Sequence, residues 1–228
     1  MVDGLSQVRA EWQRRVVAEY GSAAATHTLL GWLMRLGASP TLLHEAVRIV
    51  DDELIHAEMA FEVLREAGGG VLTLGGVSGM EAEAGLSLLG NVCAQGVRIF
   101  CLGETVAVRL FKRLREQTSV EVARRALDRV LVDEVRHRDF GWLLLEWLAQ
   151  QPQWPELRSL IEQRLPGWFE ELRRSYDPSS DPPFDAGWRA WGLMPNAEYR
   201  AGLAEAVERD YVPRFAEYEI DAASAFRH

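Results

Sequence analysis

Only two Asp-Glu dipeptides occur in this chain, Asp52-Glu53 and Asp133-Glu134, and a histidine follows each glutamate by three residues, His56 and His137. On an α-helix, positions i and i+3 share one face a turn apart, so each pair presents a carboxylate beside an imidazole. Two such pairs, completed by one glutamate from each of two further helices, are the ligand set of a dinuclear metal site in a helical bundle. The completing glutamates are read as Glu19 and Glu104. The expected metal ligands, and hence the catalytic set, are Glu19, Glu53, His56, Glu104, Glu134 and His137.

Glu104 stands out because no other acidic residue lies between Glu83 and Glu116, and its neighbours include Val97, Phe100, Cys101, Ala107 and Val108. A carboxylate on such a face is costly unless something compensates it, as coordination would. Glu19 competes with Glu11, eight residues earlier on a more polar stretch. Depth favours Glu19, as do the small residues Gly21 to Ala25, which would let helices approach closely. Asp52 and Asp133 are expected to accept the other ring N–H of a ligand histidine, fixing its tautomer. His27 is rotated about 80° from Glu19 at 3.6 residues per turn and reads as a core or boundary histidine. His44 reads as solvated.

Four carboxylates and two imidazoles suit borderline-hard metals with five or six ligands. Two iron ions are therefore expected, with manganese or a mixed pair as the variant, rather than a tetrahedral, sulfur-bearing zinc site. Four glutamates balance two divalent charges and leave open positions for O2 or water.

Positioning these residues requires long helices, and helix signals dominate the chain. The first is expected over about 5–36, stopping at Gly37; Ser39-Pro40 then reads as cap and first residue of a second, running to about 67. The glycine-rich run 68–77 breaks the pattern. Two capping boxes, Ser78-x-x-Glu81 and Thr118-x-x-Glu121, predict helices over about 80–117 and from there to about 150. A fifth helix is expected over about 156–175, a proline-rich loop over 176–186, and a last helix over about 197–220 capped by Asn196. The organisation repeats: a helix with a lone glutamate precedes one with Asp-Glu-x-x-His, and the glutamates of each antiparallel pair fall within about 5 Å of one depth. The link over 68–78 reaches roughly 35 Å when extended, enough for a crossover between two hairpins. The expected fold is all-α, a four-helix bundle over 1–150 with a helical extension over 151–228 packed on it.

A formal net charge of −9 argues against nucleic-acid or anionic-membrane partners, which require basic patches. No apolar run is long enough for a membrane span, and the N-terminal stretch lacks a charged-then-apolar signal, so the cytoplasm is the expected location. Cys93 and Cys101, about 12 Å apart along one helix, are expected to be free thiols in the core.

The six positions, in this order and spacing, resemble the ferritin-like superfamily of dinuclear carboxylate proteins over about residues 10–150. The Asp-Glu-x-x-His helices are similar to those of the non-haem diiron oxygenases and oxidases. The run 133–141 (DEVRHRDFG) is also similar to that of the aldehyde-deformylating oxygenases. The resemblance implies a ferritin-like bundle with a long crossover, and two irons that bind and reduce O2 to oxidise a substrate. The expected function is thus an O2-dependent diiron oxidoreductase acting on a small apolar or amphipathic molecule, with room for an electron donor and a homodimer. The alternative is a metal-handling protein with ferroxidase or peroxide-scavenging activity. Ala23, Thr26, Ala60, Val97, Ala107 and Gly141, near the ligands on the same faces, are candidate pocket residues or plain packing. Gly141 is the one expected to leave space.

Overall fold

Apolar residues recur along the helices at the helical period, and the acidic and histidine residues singled out above interrupt those stripes. The computed structural model describes residues 4–71, 74–76, 79–176 and 183–227, and the described residues contain helices and no strand. In α1 (Ser6–Arg35) the buried stripe includes Val8, Trp12, Val16, Ala23, Thr26, Leu29 and Leu33. In α2 (Pro40–Glu66) it includes Leu42, Ala46, Ile49, Glu53, His56, Ala60 and Val63. The turn between them is built as its residues dictate. Gly37 takes φ +70, a region costly for residues with a Cβ, and the Ser39 hydroxyl accepts the Leu42 amide at 3.3 Å.

The chain divides into two compact units, each drawing on segments from both sides of residue 150. One comprises Met1–Glu81, Phe111–Asp133 and Pro183–Met194; the other comprises Ala82–Leu110, Glu134–Pro182 and Pro195–His228. The first unit is the α1–α2 hairpin, the end of α4 (Thr105–Glu116), the first part of α5 (Glu121–Ala149) and a 3₁₀ turn at Ala186–Trp191. That turn docks through its backbone. Trp12 Nε1 donates to the Trp191 carbonyl at 2.9 Å, Arg15 to that of Gly192 at 2.8 Å, and the Ser119 and Val120 amides to that of Ala190. Gly192 has φ +79, and a Cβ there would come within 2.8 Å of Leu127.

The second unit holds α3 (Leu88–Gln95), a π-helical segment (Gly96–Glu104), the start of α4, the rest of α5, and α6 (Trp154–Tyr176). It also holds α7 (Asn196–Ala206), a π turn at Val207–Tyr211, α8 (Val212–Ala216) and α9 (Ala222–Arg227). Its core is aromatic: Phe100 meets Phe140 edge-on with centroids 5.0 Å apart, Trp142 meets Phe215 at 5.1 Å, and Phe169 lies against Tyr211 at 5.7 Å. Both cysteines are buried thiols, Cys101 giving its S–H to the Gly141 carbonyl at 3.2 Å.

Four boundaries differ from expectation. The third helix starts at Leu88, capped by Ser87, whose hydroxyl accepts the Gly90 amide at 3.0 Å; Glu81 is not helical, and Ser78 lies outside the described residues. Thr118 does not open α5, because its hydroxyl donates to the Leu114 carbonyl at 2.7 Å and the next two amides go to Ala190; the helix begins at Glu121. Asn196 is the first residue of α7 rather than its cap. The last expected helix is broken, with a π turn ending two residues before Pro213, whose ring nitrogen has no N–H to donate to the preceding turn. Most of the proline-rich loop, residues 177–182, lies outside the described residues.

Candidate metal centre

Ile49, Glu53, His56 and Ala60 follow one another along the buried face of α2, so helix periodicity aims the carboxylate and imidazole inward from the first unit's hairpin. Glu19 meets them from α1. One donor atom each of Glu19, Glu53 and His56 lie within 4.8 Å of one another. His56 Nδ1 stands 3.7 Å from Glu53 Oε2 and 4.0 Å from Glu19 Oε2, and the three side chains are 0%, 2% and 13% exposed. Both separations fall within the about 4.2 Å that two donors each about 2.1 Å from one ion can span.

The opposite ring nitrogen fixes the tautomer. His56 Nε2 donates to Asp133 Oδ2 at 3.1 Å, leaving Nδ1 as the nitrogen that faces the carboxylates. Asp133 thus meets a motif histidine through a ring N–H, and the contact crosses motifs, since Asp133 precedes the other Glu-x-x-His. Arg129, one turn before Asp133, donates its Nε to Asp133 and its Nη2 to Asp52 Oδ1 at 3.1 Å. Ser22 donates to Glu53 Oε1 at 2.8 Å, orienting that carboxylate.

Charge follows geometry. Burial disfavours a charged His56, but the Asp133 hydrogen bond and the Glu53 and Glu19 carboxylates outweigh it and push its pKa up to about 10. Burial likewise works against a charged Asp133, yet His56 and Arg129 hold its carboxyl well below the usual range. The site favours positive charge, the condition a cation requires. Glu11 is spent elsewhere. It pairs with Arg14 and Arg15 at 2.8–3.0 Å, and these arginines lower its pKa against the opposing effect of burial.

The second unit carries the other Glu-x-x-His pair and Glu104. Glu134 Oε2 lies 3.8 Å from His137 Nδ1, a donor atom of Glu104 lies within 4.8 Å of one on His137, and all three residues are buried. Glu104 ends the π-helical segment that began at Gly96, a departure from α geometry that the sequence pattern did not announce. Two carboxylates and one imidazole, the donors gathered by Glu19, Glu53 and His56, fit a hard or borderline ion.

Gly141 does not leave space. A Cβ there would fall 2.6–2.8 Å from the backbone of Phe100, so the glycine admits close helix contact. Ala23, Thr26, Ala60 and Val97 are buried packing residues, whereas Ala107 is half-buried. A cavity of about 320 Å³ lies instead between α1 and α2, lined by buried Val16 and Ala57, by Tyr20, Leu54, Phe61 and Leu74, and by exposed Glu58. Val16 lies one turn before Glu19 and Ala57 one turn after Glu53. His27 and His44 are exposed; His228 lies outside the described residues.

Arg129 and Ser22 were missed. Arg129 carried a signal, its i−4 spacing from an aspartate beside a ligand motif; Ser22, three residues past Glu19, sat unremarked in a run of small residues. No helix among the described residues is long and apolar enough to cross a membrane. Comparison with protein families, with curated proteins and with solved structures gives no match.

Proposed function

We propose that this protein is an O2-dependent non-haem diiron oxidoreductase of the ferritin-like kind, acting on a small apolar or amphipathic organic molecule. The observation that carries the reading is His56 held through Nε2 by Asp133 while Nδ1 faces Glu19 and Glu53. The sequence repeat extends it to two ions: Glu19, Glu53 and His56 would hold one, and Glu104, Glu134 and His137 the other. Iron would supply the electrons for O2 reduction. The protein's own part is to hold the carboxylates, to fix the histidine tautomer, and to keep water from buried ligands. Asp133 keeps the Nε2 proton of His56 in place, and Ser22 restrains Glu53.

The organic substrate is assigned to the α1–α2 cavity, whose walls come from the turns next to Glu19 and Glu53. Its volume, about 320 Å³, is at the small end of ordinary ligand pockets. The test is anaerobic loading with ferrous iron, metal analysis, and O2 exposure with and without apolar candidates. Two irons per chain and an O2-dependent organic product support the reading. Ala57→Leu, which fills the cavity, should then suppress product while iron loading persists.

A second reading, metal handling by ferroxidase or peroxide-scavenging chemistry, gains from the tight packing of Gly141 against Phe100, where a pocket was expected. Iron oxidation with O2 consumed, no organic product, and indifference to Ala57→Leu would favour it.

A further inference from the structure

π-helical segments are rare, usually a single turn, and frequent at functional sites. Here one spans Gly96–Glu104, and Glu104 is its last residue. Each residue added to a helical turn swings the downstream side chains by about 100° relative to an unbroken α-helix. The direction of Glu104 therefore depends on that segment keeping its register. Something outside the segment must hold it, since an α-helix over the same residues has better intrahelical hydrogen bonds.

The holding contact comes from the C-terminal part of the second unit. The Tyr211 hydroxyl donates to the Leu102 carbonyl at 2.6 Å, two residues before Glu104, and the phenol is fully buried. Leu102 also accepts the Thr105 amide. Burial keeps the Tyr211 hydroxyl protonated, with a pKa well above its ordinary value, so it remains a donor. Tyr211 is itself pinned. Its ring lies against Phe169, and its neighbour Asp210 is ion-paired with Arg109, five residues beyond Glu104 on the same continuous helix. Within the same segment, Phe100 is pressed against Gly141, where no Cβ would fit.

We propose that Tyr211 is a positioning residue for the metal site: by holding the Leu102 carbonyl it keeps the π register that directs the Glu104 carboxylate. The inference rests on Glu104 being a metal ligand. It also gives the C-terminal segment a role, that of a clamp on the ligand helix rather than a passive cover. If about one tenth of the molecules retained the competent register without this bond, apparent affinity for the ion held by Glu104 would fall about tenfold.

Tyr211→Phe removes the hydroxyl and keeps the ring. Cobalt(II) is titrated anaerobically into the full-length protein, following the visible absorption of the bound ion, for wild type, Tyr211→Phe, Glu104→Gln and Glu19→Gln. The expected result is two binding phases in wild type, with Tyr211→Phe and Glu104→Gln weakening the same one. Tyr211→Phe should weaken that phase about tenfold, change its absorption band, and leave the phase weakened by Glu19→Gln within about twofold. Amide exchange over residues 99–106 should accelerate in Tyr211→Phe while that over 46–60 stays unchanged. If Glu104→Gln weakens a phase and Tyr211→Phe weakens neither, or both equally alongside a lower melting temperature, the positioning role is overturned while the metal reading stands. A wild type that takes up no cobalt, or a Glu104→Gln variant that binds like wild type, overturns both.

Discussion

Glu19 and Glu104 are counterparts in the two halves of the chain, yet they reach their places differently. Glu19 sits on an unbroken α-helix, where Val16, Glu19, Ala23 and Thr26 follow the ordinary period and Gly21 has open space around it. Glu104 ends a π-helical segment pressed on Gly141 and held by Tyr211. The first arrangement depends on periodicity alone and so tolerates change around it. The second depends on tertiary contacts, and disturbing those contacts should move the Glu104 carboxylate.

The strongest test of the comparison is removal of the histidines. His56→Ala and His137→Ala should each abolish binding of one ion, lowering stoichiometry from two to one and weakening that site by more than the roughly 100-fold ceiling seen for outer partners. Metal analysis after equilibrium dialysis checks this. His44→Ala, on an exposed position of α2, should leave the metal content unchanged. Equal loss in all three variants would mean that neither half holds metal as described.

Next in size is the support given to His56. Asp133→Asn should weaken the ion held by His56 by roughly 10–100-fold, because an amide neither fixes the Nε2–H tautomer nor raises ligand basicity. Arg129→Gln should have a smaller effect in the same direction, since Asp133 stays in place but loses its oriented partner. A competition titration with a chelator of known affinity separates the two. Identical affinities for Asp133→Asn and wild type would reduce the His56–Asp133 contact to a packing feature.

Glycine substitutions then probe the difference in packing. Gly141→Ala places a Cβ within 2.8 Å of the Phe100 backbone and should cost about 1–3 kcal/mol in denaturant unfolding. Gly21→Ala meets nothing within 4 Å in mid-helix and should stabilise by about 0.5–1 kcal/mol. Similar effects at both positions would remove the contrast between the halves.

The same contrast explains what could be read in advance. The stripe on α2, the Ser39 cap and the Gly37 stop are local, so Glu53 and His56 and their helix were legible in the residues. That Glu19 rather than Glu11 lies beside Glu53 and His56 was legible from depth, and the arginines bound to Glu11 supply the physical reason. The π segment was not legible, because its stabilisation comes from Tyr211, over a hundred residues away, and from a glycine contact that looks from sequence like an empty space. For the same reason Thr118 misled: its hydroxyl had a nearer carbonyl to serve, and the next two amides were taken by Ala190.

The sharpest test of the electrostatics of the first half concerns protons. In the metal-free protein the His56 pKa is about 10, above its ordinary value near 6.5, so the folded state binds this proton more tightly than the unfolded one. The stabilisation it gives is fully present below pH 6.5 and is lost as pH rises through 10. Asp133 has the opposite sign: its folded pKa is depressed, so its contribution is present above the unfolded carboxylate value and lost as pH falls through the folded one. The melting temperature of the metal-free protein should therefore decline from about pH 7 to 10 more steeply than that of His56→Gln, which cancels the shared titration of other groups. An ion on Nδ1 must displace that proton, so metal uptake near pH 8 should release about one proton more from wild type than from His56→Gln. Calorimetric titration in two buffers of different ionisation enthalpy measures it. Equal proton release by the two proteins, with parallel melting curves, would show that His56 does not carry the charge its carboxylate neighbours favour, and would remove the electrostatic argument for a cation beside Glu19 and Glu53.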